Sequence, residues 1–320
     1  PATMVGYSEY PKGTQRYWSV PLEGDANGWA YRKDLFEDPK EKEAFKIRYG
    51  YELAAPQTWE QLLDISAFFH RPDKGVYGVS PWTSAEYDGI TMGFQPVLWA
   101  WGADLGDAQS YKVKGILNSK AGIEALEFYK KLYAYTPPNW NKVYWAESNK
   151  AFTEGKVAMA MNYFAFFPAL VDPKTNPHAQ NTGFFPMPRG PKGQFASMGG
   201  QGISIVSYTT KKDFAFQFLD WFIREDVQKK WGQLGGFTCN ERVHASQEFL
   251  EATPFNRAFA QSMGMVRDFW AVPEYPELLT SSQKHWNAFL VSPGGSAEQV
   301  MNAVAREWES LFEYAGYYKE

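Results

Sequence analysis

Glu147–Phe167, ESNKAFTEGKVAMAMNYFAFF, is the stretch whose reading decides the fold. It opens as a helix: Ala146, Ala151 and Phe152 can share one apolar face, and Gly155 stands where helices commonly end in a left-handed residue. Lys156–Met161 follows as a short apolar run with nothing charged after the lysine, which predicts a buried strand. That strand runs into Asn162-Tyr163-Phe164-Ala165-Phe166-Phe167, rings at a strand end with one amide among them. In an open α/β sheet, ligands sit in the crevice beyond the carboxyl ends of the strands. Flat rings beside an amide suit a ligand with an apolar face and a hydroxylated rim, such as a sugar or polyol. The same rings also suit a plain core.

Outward from this stretch, helices and short apolar strands alternate, which predicts an α/β class. Trp29-Ala30-Tyr31 reads as strand, Asp34–Tyr49 as one charged surface helix, and Gly75–Ser80 as a short strand. Thr58 and Gln61 have capping-box spacing ahead of an apolar face of Leu62, Leu63, Ile65 and Phe69. Met92–Trp101 predicts a buried helix, and Asn118 or Ser119 caps an amphipathic one through Leu132. Pro186–Gly193 reads as a surface loop, and Phe214–Ile223 and Val227–Leu234 as helices. Two short helices are expected within 245–265, the second starting at Pro254. Ser296 and Gln299 have capping-box spacing for a last helix with Val300, Val304, Trp308, Leu311 and Phe312 inward.

The helix, F-x-x-G-K-x-A-M and short aromatic loop of the opening stretch resemble extracellular solute-binding proteins of the sugar type, the maltose-binding-protein-like receptors of ABC importers. Three further stretches agree, in the right order. They are Asn27–Phe36 (NGWAYRKDLF) with Pro56–Leu62 (PQTWEQL), Pro96–Asp104 (PVLWAWGAD), and Gly199–Ile205 (GGQGISI). The resemblance implies an α/β, two-lobe, periplasmic-binding-protein-like fold with a ligand cleft between hinge-linked lobes. One lobe would hold residues 25–202 plus 276–320, and the amino-terminal lobe 1–20 plus 206–272, with crossings near 20–24, 203–206 and 272–276. It implies a monomeric, periplasmic or extracytoplasmic receptor that hands a sugar or polyol to the membrane subunits of an ABC transporter. In that family the first crossing follows a run of βαβ units, whereas here Ser19-Val20-Pro21-Leu22 comes at once. By the resemblance, the first part of the amino-terminal lobe is expected to be missing. No leader sequence is read either, so the chain is taken as mature or trimmed.

Composition narrows the alternatives. The chain has 320 residues, enough for two lobes, a net charge of −4 and no basic block, which argues against a nucleic-acid surface. Its aromatic content is 18% with 13 Trp, so either the cores are rich in rings or a ligand stacks on rings. No apolar run approaches the roughly 20 residues that a spanning helix needs. The single cysteine, Cys239, forbids an internal disulfide, and the four histidines have no metal-ligand spacing, so neither metal nor cofactor is expected. No phosphate loop and no nucleophile elbow is present.

The candidate ligand residues are Asp25, Tyr87, Asp88, Trp140, Asn162, Tyr163, Gly199, Gly200, Gln201 and Trp270. Asn162 and Tyr163 rank first, because the resembling family places ligand contacts at this loop. Asp25 and Asp88 would accept hydrogen bonds from hydroxyls while charged. The glycines would let backbone approach a ligand closely. Each has an alternative as core, cap or turn, and many relatives carry a tryptophan where this chain has Phe164 and Ala165. Two rival readings stay open. One is a glycoside hydrolase using a carboxylate pair, although no acid reads as buried among rings in the way a general acid requires. The other is an interaction domain without a small ligand.

Overall fold

The structure, a computed structural model, describes residues 2–318. Its elements begin with α1 (Ala2–Ser8), β1 (Val20–Arg32), α2 (Lys33–Glu37), α3 (Pro39–Tyr49), α4 (Trp59–Phe68), β2 (Tyr77–Ser80), α5 (Gly89–Trp101) and α6 (Lys120–Tyr133). They continue with α7 (Trp145–Thr153), β3 (Val157–Tyr163), α8 (Pro168–Val171), β4 (Thr182–Pro186), β5 (Arg189–Gly190), β6 (Gly193–Gln194) and β7 (Ala196–Ile203). The remainder is helical apart from one short strand: α9 (Lys212–Phe222), α10 (Glu225–Gln233), α11 (Glu241–His244), α12 (Gln247–Ala252), α13 (Asn256–Met263), β8 (Val266–Arg267), α14 (Tyr275–Val291) and α15 (Ala297–Tyr314).

The opening stretch folds as its pattern predicts. Gly155 ends the α7 turn with φ +70°, and every residue of β3 is buried. An unbroken apolar run with no polar alternation is what a strand covered on both faces needs. β3 pairs in parallel with β2 and antiparallel with β1, with Asn27 opposite Tyr163. The long β1 is the hub. Its second half pairs with β3 and β4, and its first half with β7, Val20 opposite Ile203. The expected crossing at Val20 and the expected strand at Trp29 are therefore one continuous strand.

Rings fill the layers on either side. Trp29 lies edge-on to Trp59 at 6.2 Å and stacked with Phe185 at 6.2 Å. Phe94 of α5 meets Trp286 of α14 at 5.1 Å, and Trp286 meets Trp308 of α15 at 6.3 Å. These are the separations at which aromatic pairs attract beyond simple burial.

Several local expectations shift. Pro39 sits in the first turn of α3 with Asp38 capping it, so 34–49 is two helices rather than one. The Thr58–Gln61 capping box forms, and Ser119 rather than Asn118 caps α6. Arg189–Gly190 and Gly193–Gln194 pair as a small hairpin, where a plain loop was expected. Ser296 accepts the Gln299 N–H, giving half of the expected box. Pro254 lies before α13 rather than starting it, and Pro276 opens the first turn of α14 just after the third expected crossing. Part of the segment expected in the other lobe also packs on this sheet: Phe259 of α13 lies against Phe164, and Phe255, just before α13, against Phe184.

Candidate functional site

Where β1, β3 and β7 run side by side, three predicted residues meet. Gly199 lies between the Tyr163 ring and Asp25, so close that an added Cβ would stand 2.8 Å from the ring and 3.2 Å from the Asp25 Cβ. Gly200 has φ +85°, and a side chain there would strike the Glu23 carbonyl. Both glycines are thus required by the protein's own packing, a reason that the sequence did not supply. Tyr7 of α1, which the sequence gave no reason to single out, donates its hydroxyl to the Gly199 carbonyl.

Asp25 is 4% exposed. Its carboxylate accepts the Ala26 N–H at 2.8 Å and the Ala165 N–H at 3.3 Å, and no cation among the described residues pairs with it. Burial drives its pKa well above the usual carboxylate range, and the Glu23 charge adds to this. An acid buried against a ring is therefore present, contrary to the expectation from sequence. Its oxygens face backbone N–H groups, however, and the side chain is enclosed.

Asn162 sits fully inside. Its amide donates to the Trp145 carbonyl at 2.9 Å and the Asn149 side chain at 2.7 Å, and its oxygen accepts the Tyr163 N–H at 2.9 Å. This amide is spent on joining α7 to β3, which leaves it no free group to offer. Trp140 is likewise buried and donates its indole N–H to the Pro81 carbonyl. It fastens two loops to each other.

Tyr163 is 7% exposed and carries the wall onward. Its ring meets Trp82 at 5.0 Å, and Trp82 meets Tyr144 at 4.7 Å. Tyr144 donates its hydroxyl to Asp88 at 2.6 Å. Burial first, and the Asp88 charge second, raise the Tyr144 pKa, so this phenol stays protonated and donating. Asp88 and Tyr87 line a recess of about 440 Å³ with Tyr275. Tyr275 also lines a neighbouring recess of about 460 Å³ with Tyr10, Asp268 and Trp270. Asp268 opens to solvent there, and crowding by the surrounding protein raises its carboxyl above the usual range, with the Asp88 charge adding and Lys12 opposing. Trp270 leans on Trp308 and Phe312, half core and half wall. Gln201 is exposed on the outer part of β7.

The result is an arc of rings and acids running from Tyr7 and Asp25 through Tyr163, Trp82 and Tyr144 to Asp88, Tyr275 and Asp268. Trp82, Tyr144, Tyr275 and Asp268 were missed. Pro81–Asp88 reads from sequence as a polar-aromatic loop, which is the signal that could have added Trp82. Among the described residues, no group of histidine, cysteine and acidic side chains could hold a metal ion.

The family model for bacterial extracellular solute-binding proteins matches residues 3–229. The chain belongs to this family. A mannitol-binding protein of Pseudomonas aeruginosa is 24% identical over 328 residues, covering 96% of this chain and 72% of the relative. A probable amino-acid ABC transporter periplasmic-binding protein of Sinorhizobium fredii is 23% identical over 316 residues, covering 97% and 68%. Among solved structures, a maltose-bound T. maritima MalE3 superposes with a TM-score of 0.77 at 24% identity, covering 97% of this chain and 76% of that one. A solute-binding protein of Agrobacterium radiobacter K84 in complex with ribitol gives 0.77 at 21% identity, covering 98% and 75%. The fold is accordingly the α/β, two-lobe type of this family. No helix among the described residues is long and apolar enough to cross a membrane.

Proposed function

We propose that this member of the family is the receptor of an ABC importer that captures a sugar or polyol against the arc of rings and acids. The observation that carries the reading is the pair of recesses where Tyr87, Asp88, Tyr275, Asp268 and Trp270 face solvent, backed by the buried rings of Tyr163, Trp82 and Tyr144. Ring faces cover the C–H face of a carbohydrate, and carboxylates and phenols accept from and donate to its hydroxyls. The mannitol-binding relative and the maltose and ribitol complexes of similar structures support the same class. An amino acid would bring a carboxylate in need of a cation. Arg267 of β8 is already paired with Asp104 at 2.6 Å.

Of the residues expected from sequence, Tyr87, Asp88, Tyr163, Gln201 and Trp270 remain in the proposed contact set, with Asp25 enclosed behind them. Gly199 and Gly200 shape the wall behind it. Binding proceeds without turnover, and the ligand is released to the membrane subunits. The lobe division also stands as a proposal, with the β1–β7 ribbon joining the lobes and α9–α10 in the smaller one. The rings of α9, Phe214, Phe216, Phe218 and Trp221, are largely exposed.

A thermal-shift series with D-mannitol, ribitol, maltose and free amino acids, run beside a hydrolysis assay, tests the reading. Stabilisation by a sugar or polyol without turnover is expected, growing as RT ln(1 + [L]/Kd). Turnover would make the protein a hydrolase, and stabilisation by amino acids alone would overturn the ligand class.

A further inference from the structure

The edge of the arc that holds Tyr87 and Asp88 is fixed from behind by α14. Gln283 is 1% exposed, and its amide nitrogen donates to the Tyr87 carbonyl at 2.8 Å and reaches the Ala85 carbonyl at 3.5 Å. One turn later, Asn287 donates to the Thr83 carbonyl at 2.7 Å and to the Asn141 carbonyl at 2.7 Å. Thr83 in turn donates to the Trp140 carbonyl at 2.5 Å, so the loops that carry Trp82, Asp88 and Tyr144 are laced together and pinned to one helix face.

Two local features indicate that this fastening serves the edge rather than the fold. Tyr87 holds φ +54°, a region that costs a side-chain-bearing residue about 1 kcal/mol or more, while its ring lies 84% exposed. Nothing in the core rewards that conformation. Asp88 occupies the N-cap position of α5, yet its side chain caps nothing and is held by Tyr144 instead. Gln283 meanwhile keeps its side-chain oxygen buried with no partner, which is costly for a residue whose only task is packing.

We propose that Gln283 is a positioning residue, which holds Ala85–Asp88 in its strained turn and so sets ligand affinity without touching the ligand. The proposal rests on the arc being the ligand site. The test compares Gln283→Met, near in shape but unable to donate, with Ser282→Ala. Ser282 is a buried neighbour whose hydroxyl bonds only to carbonyls of its own helix. Hydrogen exchange, melting temperature and affinity for D-mannitol, ribitol and maltose are read on each.

For Gln283→Met, amides across 84–89 should exchange about tenfold faster while those of β3 keep wild-type rates. The melting temperature should stay near wild type, because loss of the donor also removes the unpaired acceptor, and affinity should fall about tenfold. Ser282→Ala should leave both exchange at 84–89 and affinity unchanged. Unchanged exchange at 84–89, acceleration spread equally into β3, or faster local exchange with wild-type affinity would each overturn the proposal. Should the wild type bind none of the three probes, the sugar reading falls, and the exchange pattern alone decides whether Gln283 holds the edge.

Discussion

In the body built on β1 and β3, Trp29 lies with no surface in water, while on α9 Phe214 leaves 72% of its own exposed. Both regions are rich in rings, and both have the periodicity of their element. β3 is apolar from Val157 to Met161, its one amide, Asn162, is fully hydrogen-bonded, and both its faces are covered. On α9, Phe214, Phe218 and Trp221 recur at helical spacing, and Phe222 alone among its rings is buried. The difference teaches that a periodic pattern states which face an element offers for burial, and not what covers it. The contrast also separates the arc from its surroundings, since Tyr163 belongs by burial to the body and Tyr87 by exposure to the surface.

Trp29→Ala should produce the largest effect. Its ring contacts Trp59 and Phe185 and its indole N–H reaches the Met187 sulfur at 3.1 Å, so truncation should cost about 3–5 kcal/mol in urea denaturation. A cost below about 1 kcal/mol would mean that the body is no more tightly packed than α9, and the contrast between the regions would collapse.

Asn162→Leu comes next and sharpens the division between wall and support. It strands the Tyr163 N–H, the Trp145 carbonyl and the Asn149 side chain, each worth about 1–3 kcal/mol when left unpaired in the interior. A marked loss of stability is expected, with unchanged affinity per folded molecule. Wild-type stability with lost binding would return Asn162 to the ligand contacts that the sequence resemblance implied.

Asp25→Asn should act through pH. In the folded chain burial raises the Asp25 carboxyl well above its ordinary value, so between about pH 4 and that raised value the folded state binds more protons than the unfolded one. Stability therefore falls as pH rises through this window. Asparagine does not titrate and can still accept the Ala26 and Ala165 N–H groups. The variant should melt higher than wild type at pH 8, with the gain shrinking to nothing toward pH 4. A difference that stays constant across this range would show that Asp25 is not buried as the structure has it.

Much of this was legible in the chain itself. The Gly155 stop, the buried β3, the Thr58–Gln61 box and the α/β class all follow from local rules that tertiary contacts did not override. What was not legible depended on distant partners. Nothing near Gly199 in sequence says that Tyr163 and Asp25 lie against it, and nothing near Asn162 says that α7 consumes its amide. Tyr144 and Tyr275 join the arc only because α5, α7 and α14 bring separate loops together. The two-part helix at 34–49 was an avoidable miss, since Asp38-Pro39 is itself a helix-start signal.

Phe214→Ser should have the smallest effect, and it tests the other side of the comparison. Burial free energy of about 25 cal/mol per Å² counts only for area removed from water, and most of the Phe214 ring is in water. In the chain of residues 1–320 the substitution should shift unfolding by no more than about 0.5 kcal/mol. It should also lower binding of an apolar dye, because Phe214, Phe218 and Trp221 recur at helical spacing and form one exposed stripe on the helix. A loss near 2 kcal/mol would mean that the face is covered in solution by another copy of the chain, and the stability would then vary with protein concentration. A small loss independent of concentration leaves α9 as an uncovered amphipathic helix.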